Sequence, residues 1–359
     1  MSLPAIDFSA FRNGTEQKRR ELANCVTEEF KKHGATRLTN HGLTAETITK
    51  AYEWSEKFFK LSEAEKAAIA NVRDANPQRG YSYVGSEATS KVNKRDQRGE
   101  FQICEDDDVD QELVDAKEHF DYTRDGDEYA TPWPSDASIP GFHDWMEGTF
   151  LPECMTLARD VLTAIELGLD VPVGTFTSCM SSYVDELRIQ HYPPLAVSKL
   201  AAGKIKRCHA HTDFGFLTLL FQDATGGLEV EDRVNGGWLP VVPTGDPTEV
   251  GVYVGDTLVH KTNGHLRAAV HHVVAPVSLK NREDGVMPER FTIALFAKAD
   301  RHAVVGPMPK FVTSETPQRF PSLTALELHN KRVGQLYDAR PKEIGALEGG
   351  PGEGEGLEG

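Results

Sequence analysis

Two histidines and an aspartate stand at alternate positions of the stretch "KRCHAHTDFGFLTLL", residues 206–220. Alternate side chains of a β-strand point to the same face of the sheet, so His209, His211 and Asp213 could point into one pocket. A histidine and a carboxylate two residues apart supply part of a non-haem iron(II) site, which needs two imidazoles and one carboxylate on one side of the metal. The same pattern also fits a polar patch at a sheet edge.

The third ligand of such a site must come from another strand. His260, His265, His271 and His272 are the candidates in the chain that follows. His271 and His272 are adjacent, so on a strand they point to opposite faces and only one of them can reach the metal. Spacing alone does not decide between these histidines.

The secondary structure predicted around these residues changes along the chain. Apolar periodicity predicts helical regions over residues 15–34 and 44–70, and the clearest helix over residues 144–170, which should pack on a sheet. From about residue 176 to 310, short β-like runs are separated by turn signals such as "TGG", "NGG" and "TNG". Many short, closely spaced strands favour a jelly roll or barrel over alternating strand and helix units.

Composition argues against several classes of protein. With 55 Asp and Glu against 39 Lys and Arg, the formal net charge of −16 repels phosphate backbones, so we do not expect a nucleic-acid partner. Five cysteines without C-x-x-C spacing, and no signal peptide or membrane span, predict a soluble cytoplasmic protein. The acidic stretch 105–128 predicts an exposed loop, and the Gly- and Glu-rich residues 339–359 predict a disordered tail.

Two motifs resemble the metal-binding strands of the iron(II)- and 2-oxoglutarate-dependent oxygenases related to isopenicillin N synthase. The stretch "AHTDFGFLTLL" is similar to the first, with His211 and Asp213 as the matching ligands. The stretch "GDTLVHKTNGHLRAAVHHVVAP" is similar to the second, in which a histidine follows the Asn of an Asn-Gly turn by eight residues. Counted from Asn263, that histidine is His271.

Two further motifs resemble the cosubstrate site of that family. The stretch "LRIQHYPP" resembles the strand that carries a cofactor-binding tyrosine, here Tyr192. The stretch "RFTIALF" resembles an Arg-x-Ser strand that binds the far carboxylate of 2-oxoglutarate, here with Arg290 and Thr292. Gln190 and His272 depart from the family pattern, which usually has asparagine and arginine there, whereas the threonine keeps the hydroxyl of the usual serine.

The resemblance covers nearly the whole chain apart from the acidic stretch and the tail. It implies a mainly β fold with flanking helices (α+β), built on a double-stranded β-helix (jelly-roll) core. Residues 1–150 are then the N-terminal helical and mixed region, residues 151–338 the jelly-roll core with a closing helix, and residues 339–359 the tail.

The resemblance also implies an enzyme that uses iron(II), O₂ and 2-oxoglutarate to oxidise a C–H bond of a small organic substrate of secondary metabolism. Succinate and CO₂ are then released. Phe214, Phe296 and Arg188 are the candidate substrate residues, since they flank matched site positions. His209 is interpreted as an exposed histidine at the start of its strand, since that is commoner than a role toward substrate. Substrate identity, reaction outcome and oligomeric state do not follow from the sequence.

Three alternatives remain open at this point. The first is an oxidase of the same fold that uses no 2-oxoglutarate, because such relatives share the metal triad and the Arg-x-Ser pair. The second is a zinc hydrolase built on the same three ligands, since zinc accepts them with one open position. The third is a catalytically inactive binding protein on the same scaffold.

Overall fold

The computed structural model describes residues 2–72, 77–87, 94–95, 101–102, 114–180, 184–201, 205–280, 282 and 284–333. The α-helices in this part of the chain are α1 (Ser9–Asn13), α2 (Glu16–Lys32), α3 (Ala45–Phe59), α4 (Glu63–Ala68), α5 (Phe142–Trp145), α6 (Leu151–Gly168), α7 (Val197–Ala201), α8 (Asp256–Lys261) and α9 (Ala325–Val333). A π-helical turn, Met146–Phe150, joins α5 to α6, and short 3₁₀ turns span Thr177–Cys179 and Pro309–Phe311.

The strands are β1 (Ala5–Asp7), β2 (Ala35–Thr39), β3 (Gly80–Ser82), β4 (Lys94–Arg95), β5 (Phe101–Gln102), β6 (Val114–Asp115), β7 (Glu118–Tyr122), β8 (Glu186–Tyr192), β9 (Leu195–Ala196), β10 (Ile205–Lys206), β11 (Cys208–His211), β12 (Leu217–Gln222), β13 (Leu228–Glu231), β14 (Trp238–Pro240), β15 (Val250–Val254), β16 (His271–Val273), β17 (Val286–Met287) and β18 (Arg290–Ala297).

An eight-stranded sheet has the order β1-β2-β15-β12-β18-β8-β7-β3. All its neighbours pair antiparallel except β1 and β2. Both of its edges come from the first 150 residues, so the N-terminal region completes the sheet that the rest of the chain begins. The division of the chain at residue 150 stays a prediction.

A four-stranded sheet of order β11-β16-β13-β14 packs against one face of the large sheet. An apolar cluster lies between them, with Tyr192, Leu220 and Ala294 from the large sheet and Cys208 and Val273 from the small one. Facing sheets that bury alternate side chains between them are the layer arrangement expected of a jelly roll. The predicted fold class, mainly β with flanking helices, is confirmed.

Helices cover the other face of the large sheet. Helices α2 and α6 pack on each other, and α6 also contacts β12 and β18. In the π-helical turn before α6, the ring of Phe150 lies 5.9 Å from that of Phe221 on β12. The three predicted helical regions are all present. The region over residues 44–70 is two helices, because the Ser62 side chain accepts the Glu65 amide N–H in a capping box that starts α4.

The acidic stretch is only partly the exposed loop that its charge predicts. Residues 105–113 lie outside the described residues, but strand β7 is buried along its whole length between β8 and β3. The prediction is wrong for this strand because its acids have partners; Asp121 accepts a 2.6 Å hydrogen bond from Arg188. A count of charges in sequence does not include partners that come from distant strands.

Two other expectations from composition concern membrane-spanning helices and disulfides. No helix within the described ranges is long and apolar enough to cross a membrane. Cys25, Cys154, Cys179 and Cys208 are not in disulfides, whereas Cys104 lies outside the described residues, as does the tail 339–359.

Two glycines bring the loop after β11 against the start of α8. The Gly255 amide N–H donates to the Phe216 carbonyl at 2.9 Å, and the Asp256 amide N–H donates to the Asp213 carbonyl at 2.8 Å. A Cβ on Gly255 would lie 2.2 Å from the Gly215 carbonyl oxygen, closer than real Cβ atoms approach. The absence of a side chain at this position therefore lets the helix start fix the backbone of the loop.

We expect Gly255→Ala to lower the free energy of unfolding by about 1–3 kcal/mol, because the added methyl forces two backbone segments apart. Urea denaturation of the variant measures the change. The control is Gly148→Ala, whose Cβ would meet no atom within 4 Å, and which we expect to match the wild type or exceed it by about 0.5 kcal/mol. A Gly255→Ala protein as stable as the wild type contradicts the steric argument.

Candidate active site

His211 and His271 face each other on paired strands. Strands β11 and β16 run antiparallel with these two residues in register, and their ring centroids lie 4.3 Å apart. Asp213 follows just beyond the end of β11, with its Oδ1 3.8 Å from Nε2 of His211. One ligand atom from each of the three residues lies within 4.8 Å of the other two, a spacing that one metal ion can bridge.

Backbone carbonyls fix the tautomer of both imidazoles. Nδ1 of His211 lies 2.8 Å from the His209 carbonyl oxygen, and Nδ1 of His271 lies 3.0 Å from that of Ala269. A ring nitrogen next to a carbonyl oxygen carries a proton, so in the neutral form of each ring Nε2 is the nitrogen with the lone pair for a metal. Burial, with the neighbouring ring of His211, lowers the pKa of His271 to about 4, so this ring is neutral at pH 7.

A threonine on the large sheet orients the carboxylate of Asp213. The Thr218 hydroxyl donates to Oδ2 of Asp213 at 2.6 Å, which leaves Oδ1 on the side of His211. Both the threonine and the aspartate are buried. Two neutral imidazoles and one oriented carboxylate are the donor set that iron(II) accepts while keeping other coordination positions open.

The three ligands lie in a cavity between the two sheets. Its empty space, with the open mouth included, is about 1010 Å³. The site residues named from the sequence all line it: His211, Asp213, His271, Tyr192, Arg290, Thr292, Phe214, Phe296 and Arg188. The structure therefore brings the complete predicted set into one space.

A buried guanidinium stands at one end of the cavity. Arg290 has no exposed surface, and its Cζ lies 4.9 Å from the centre of the Tyr192 ring. Its Nη2 is 3.4 Å from Oε1 of Gln222, while Nε and Nη1 have no hydrogen-bond partner in the part of the chain described. A buried cation with two unpartnered N–H groups is costly, and an anion that accepts from them removes this cost.

Tyr192 and Thr292 lie beside this guanidinium and share one acceptor. The Thr292 hydroxyl donates to Oε1 of Gln190 at 2.8 Å, and the Tyr192 hydroxyl points to the same oxygen at 3.4 Å. Strand pairing accounts for the cluster, since Thr292 is opposite Gln190 and Arg290 is opposite Tyr192. Gln190, which departs from the family pattern, thus positions both hydroxyls.

A charged wall extends the cavity away from the guanidinium of Arg290. Arg188 donates to Asp121 at 2.6 Å and to Glu87 at 3.2 Å, and Lys117 lies 2.5 Å from the same glutamate. Burial alone would raise the pKa of Glu87, but Arg188 and Lys117 hold this pKa well below its usual value. The Cζ of Arg188 is 5.5 Å from the ring centre of Phe296. These two of the three predicted substrate residues therefore border one space.

Sequence reasoning missed Glu87 and Lys117 as lining residues of the cavity. Neither belongs to a recognised motif; Lys117 lies in the acidic stretch that the sequence assigned to a loop, and the sequence made no assignment for Glu87. One signal was available: polar residues alternate along "ELRIQHY" at Glu186, Arg188 and Gln190, which predicts a polar inward face for this strand.

His209 is buried, so its interpretation as an exposed residue is wrong. Its side chain is 1% exposed, and its Nδ1 lies 2.6 Å from Oδ1 of Asp115. The same carboxylate accepts the backbone N–H of His209 at 3.0 Å. Asp115 lies on β6 in the acidic stretch, and burial of this residue follows from that long-range pairing.

The other candidate histidines are used elsewhere in the fold. His260 stacks on Phe320 and His265 stacks on Phe311, while His272 lies 2.9 Å from Oε2 of Glu229. This outcome agrees with the resemblance, which selects His271.

The predicted closing helix is present as α9 and borders the cavity. The ring of His329 packs edge-on against Phe214 at 6.1 Å between centroids, and both residues line the cavity. Arg332 donates to Asp256 at the start of α8. The helix is thereby tied to the loop that follows Asp213.

Comparisons with known proteins identify the class. Residues 3–136 match the family model described as non-haem dioxygenase in morphine synthesis N-terminal, and residues 183–299 match the 2OG-Fe(II) oxygenase superfamily. The chain is 36% identical to the 2-oxoglutarate-dependent dioxygenase ecdK of Aspergillus rugulosus, over 94% of this chain and 100% of that one. It is 31% identical, over the same shares, to the proline hydroxylase buaE of Petromyces alliaceus.

Solved structures agree with these sequence relatives. A Neurospora crassa protein in complex with alpha-KG and thymine superposes with a TM-score of 0.78 at 29% identity, over 92% of this chain and 96% of that one. The chain therefore belongs to the 2OG-Fe(II) oxygenase superfamily and is an iron(II)- and 2-oxoglutarate-dependent dioxygenase. The predicted enzyme class and its cofactors are confirmed, and the three alternatives lose their support.

We expect Thr218→Val to weaken iron(II) binding roughly ten-fold, because groups that orient metal ligands contribute about that much to affinity. The change keeps the shape of the side chain and removes the hydrogen bond to Asp213. Competition with a coloured chelator under anaerobic conditions measures the affinity. The control is Thr27→Val, since Thr27 is also buried but its hydroxyl has no hydrogen-bond partner within the described chain. Equal affinity in the two variants contradicts the role of Thr218.

Proposed function

We propose that His211, Asp213 and His271 hold the iron(II) of this dioxygenase. The observation that carries the proposal is the arrangement of three ligand atoms within 4.8 Å, with both imidazole Nδ1 atoms engaged by carbonyls. Neutral imidazoles bind iron(II) without giving up a proton, and the buried carboxylate offsets part of the metal charge. The chemistry of the donor set suits iron(II) and leaves room for further ligands.

We further propose that Arg290 binds the far carboxylate of 2-oxoglutarate, and that the hydroxyls of Tyr192 and Thr292 turn from Gln190 to donate to this carboxylate when it binds. Support comes from the two buried guanidinium nitrogens that have no partner among the described residues. A planar guanidinium can donate two parallel hydrogen bonds to one carboxylate, so it fixes both the position and the orientation of the cosubstrate. Gln190 keeps the two hydroxyls close to that position.

The proposed substrate is a small polar compound of secondary metabolism, bordered by Phe214, Phe296 and Arg188. Its support is the charged wall, since Arg188, Glu87 and Lys117 place paired charges along this space, where a polar group fits at lower cost than an apolar one. One relative is named a proline hydroxylase, and another was solved with thymine. Proline and thymine are both small and polar, which agrees with the nature of this wall.

The residues of the chain then bind the metal and the cosubstrate, orient them and exclude water. When bound, iron(II) would activate O₂ as the oxidant, with two electrons coming from 2-oxoglutarate, which would leave as succinate and CO₂, and two from the substrate. Thr218 holds the carboxylate ligand in one orientation, and Arg290 sets the position of the cosubstrate. Phe214 and Phe296 narrow the cavity around the substrate, which limits access of water to the metal.

The proposal extends to the location of the protein in the cell and to its partners. A cytoplasmic location suits the described cysteines, which form no disulfides, because thiols stay reduced in that compartment. A net charge of −16 disfavours nucleic acid as a partner, so a small molecule is the only partner proposed.

Anaerobic spectroscopy with iron(II) and 2-oxoglutarate tests the assignment of the metal ligands. We expect the wild type to develop a weak visible charge-transfer band when the keto acid chelates the iron, and succinate to form on exposure to air. His211→Ala should show neither, since it removes a ligand. His265→Ala is the control, because His265 stacks on Phe311 and is not part of the metal cluster; it should behave as the wild type does.

The other outcomes have distinct meanings. Iron that binds without producing the band would favour an oxidase that uses no 2-oxoglutarate. A band of full strength in His211→Ala would refute the proposed ligand set.

A further inference from the structure

Lys298 is a second cation of the cavity, at the opposite end of the strand that begins with Arg290. Side chains at alternate positions of β18, from Arg290 through Thr292, Ala294 and Phe296, line the cavity, and Lys298 continues this alternation just after the strand. A strand advances by about 3.3 Å per residue, so the backbones of the two cations are roughly 25 Å apart. A carboxylate bound at Arg290 is therefore too far away to neutralise Lys298.

The ammonium of Lys298 shares its carboxylate with another cation. Its Nζ lies 3.1 Å from Oε2 of Glu186, and the same oxygen accepts a 2.5 Å hydrogen bond from Nη1 of Arg79. Arg79 and a third cation, Arg301, both pair with Asp127. Three cations thus share two buried carboxylates, which gives this cluster a surplus of positive charge.

Two further carboxylates near the cluster do not balance its surplus. Glu128 is 3.7 Å from Arg301, but its side chain is 66% exposed, so water screens most of its charge. Asp185 accepts the backbone N–H of Lys298 at 2.8 Å, and burial raises the pKa of this carboxyl to about 7, so it is only partly ionised at neutral pH. The pKa of Lys298 is lowered, first by burial and also by Arg79, as expected for an ammonium with too little opposite charge around it.

His329 on the closing helix α9 borders the same part of the cavity. Both His329 and Lys298 line this cavity and also a smaller one of about 440 Å³, open mouth included, that α9 borders. Nε2 of His329 has no hydrogen-bond partner among the described residues. Burial, and then the charges of Lys298, Arg79 and Arg301, hold the pKa of His329 well below its usual value. The ring is therefore neutral at pH 7, and its Nε2 is able to donate a hydrogen bond.

An anion accounts for both features at once. A carboxylate carries the negative charge that the cluster lacks, and its oxygens accept hydrogen bonds from an ammonium and from an imidazole N–H. A neutral hydroxyl or amide would leave the surplus in place, and a second ammonium would add to it. The ring of His329 packs against Phe214, and Lys298 follows Phe296 by two residues, so the cluster adjoins two of the proposed substrate residues.

We propose that Lys298 and His329 bind a carboxylate group of the substrate, and that the substrate of this dioxygenase is therefore a carboxylic acid. The inference rests on the proposed function, which assigns the substrate to the space beside Phe214 and Phe296 and the cosubstrate to Arg290. Lys298 supplies the opposite charge, and Nε2 of His329 supplies a directed donor. Sequence patterns did not indicate either residue, because the surplus depends on which distant side chains share a partner.

Ligand binding to the anaerobic protein, loaded with iron(II) and saturated with 2-oxoglutarate, tests this inference without turnover. The probes are the common L-amino acids and a set of aliphatic and aromatic monocarboxylic acids, each paired with its primary amide. A thermal-shift screen selects the acids that bind, and isothermal titration gives the Kd of each selected acid and of its amide. We expect the acids to bind roughly ten-fold or more tightly than their amides, because an amide has no charge to pair with Lys298.

Three variants assign this preference to the two side chains. Lys298→Met should raise the Kd of the acid roughly ten- to hundred-fold and leave that of the amide within about two-fold, while Glu186 keeps Arg79 as its partner. Lys298→Arg retains the charge and should keep the preference for acids, which also covers a failure of Lys298→Met to fold. His329→Phe keeps a ring against Phe214 without Nε2, and we expect a loss of about two- to ten-fold for the acid alone.

Lys261→Met is the control, because Lys261 is also largely buried but does not line the cavity; both Kd values should be unchanged. Equal binding of acids and amides by the wild type overturns the inference, and so does a screen in which no acid binds. Equal weakening of acid and amide in Lys298→Met shows a structural role and overturns it as well. A preference for acids that survives in Lys298→Met places the carboxylate elsewhere and also refutes the assignment.

The Kd of 2-oxoglutarate, measured on the same proteins before the probes are added, separates this inference from the proposed function. If the wild type and Lys298→Met bind 2-oxoglutarate equally well but neither distinguishes acids from amides, the inference fails and the proposed function stands. If the iron(II)-loaded wild type does not bind 2-oxoglutarate, the proposed function fails and the inference fails with it.

Discussion

Charge buried between the two sheets has to be neutralised, and this constraint accounts for most of the site. At one end of the cavity the protein supplies the partners itself: Arg188 donates to Asp121 and Glu87, and Lys117 pairs with the same glutamate. At the other end the guanidinium of Arg290 has nitrogens that no described residue satisfies. The charges named at the first end are paired within the protein, while the charge of Arg290 at the second end is balanced only when an anion binds. The difference between the two ends is what makes a cosubstrate site distinguishable from a structural ion-pair network.

The positions of the metal ligands depend on backbone features: strand register, carbonyl groups and a close contact between two glycines. Register between β11 and β16 sets His211 opposite His271, and carbonyls two residues earlier orient both rings. Asp213 lies beyond the strand, so its position depends on the loop, which is fixed by the contact of Gly255 with Gly215. A ligand triad of correct residue types would therefore bind metal poorly if this loop moved, since donor atoms must be held close to their binding geometry.

Much of this arrangement could be predicted from the sequence, and the failures share one cause. His211, Asp213 and His271 could be found because alternation along a strand and a fixed offset from an Asn-Gly turn are local patterns. The burial of His209 could not, because it depends on Asp115, 94 residues away in the chain. The place of Glu87 and Lys117 in the lining of the cavity is a similar case, since it follows from contacts between distant parts of the chain. Sequence patterns identify residue types and local spacing, while burial and charge balance follow from tertiary contacts.

The acidic stretch links the N-terminal region to the site in the rest of the chain. Asp121 on β7 is the partner of Arg188, and Asp115 on β6 is the partner of His209, whose carbonyl in turn orients His211. Without these two carboxylates, a buried guanidinium would lose one of its ion pairs and a buried imidazole would lose the carboxylate beside its Nδ1, which is costly inside a protein. The stretch that composition assigns to a solvated loop thus supplies the counter-charges of the cavity. For this reason the two regions, although divided at residue 150 by the sequence, depend on each other for a stable site.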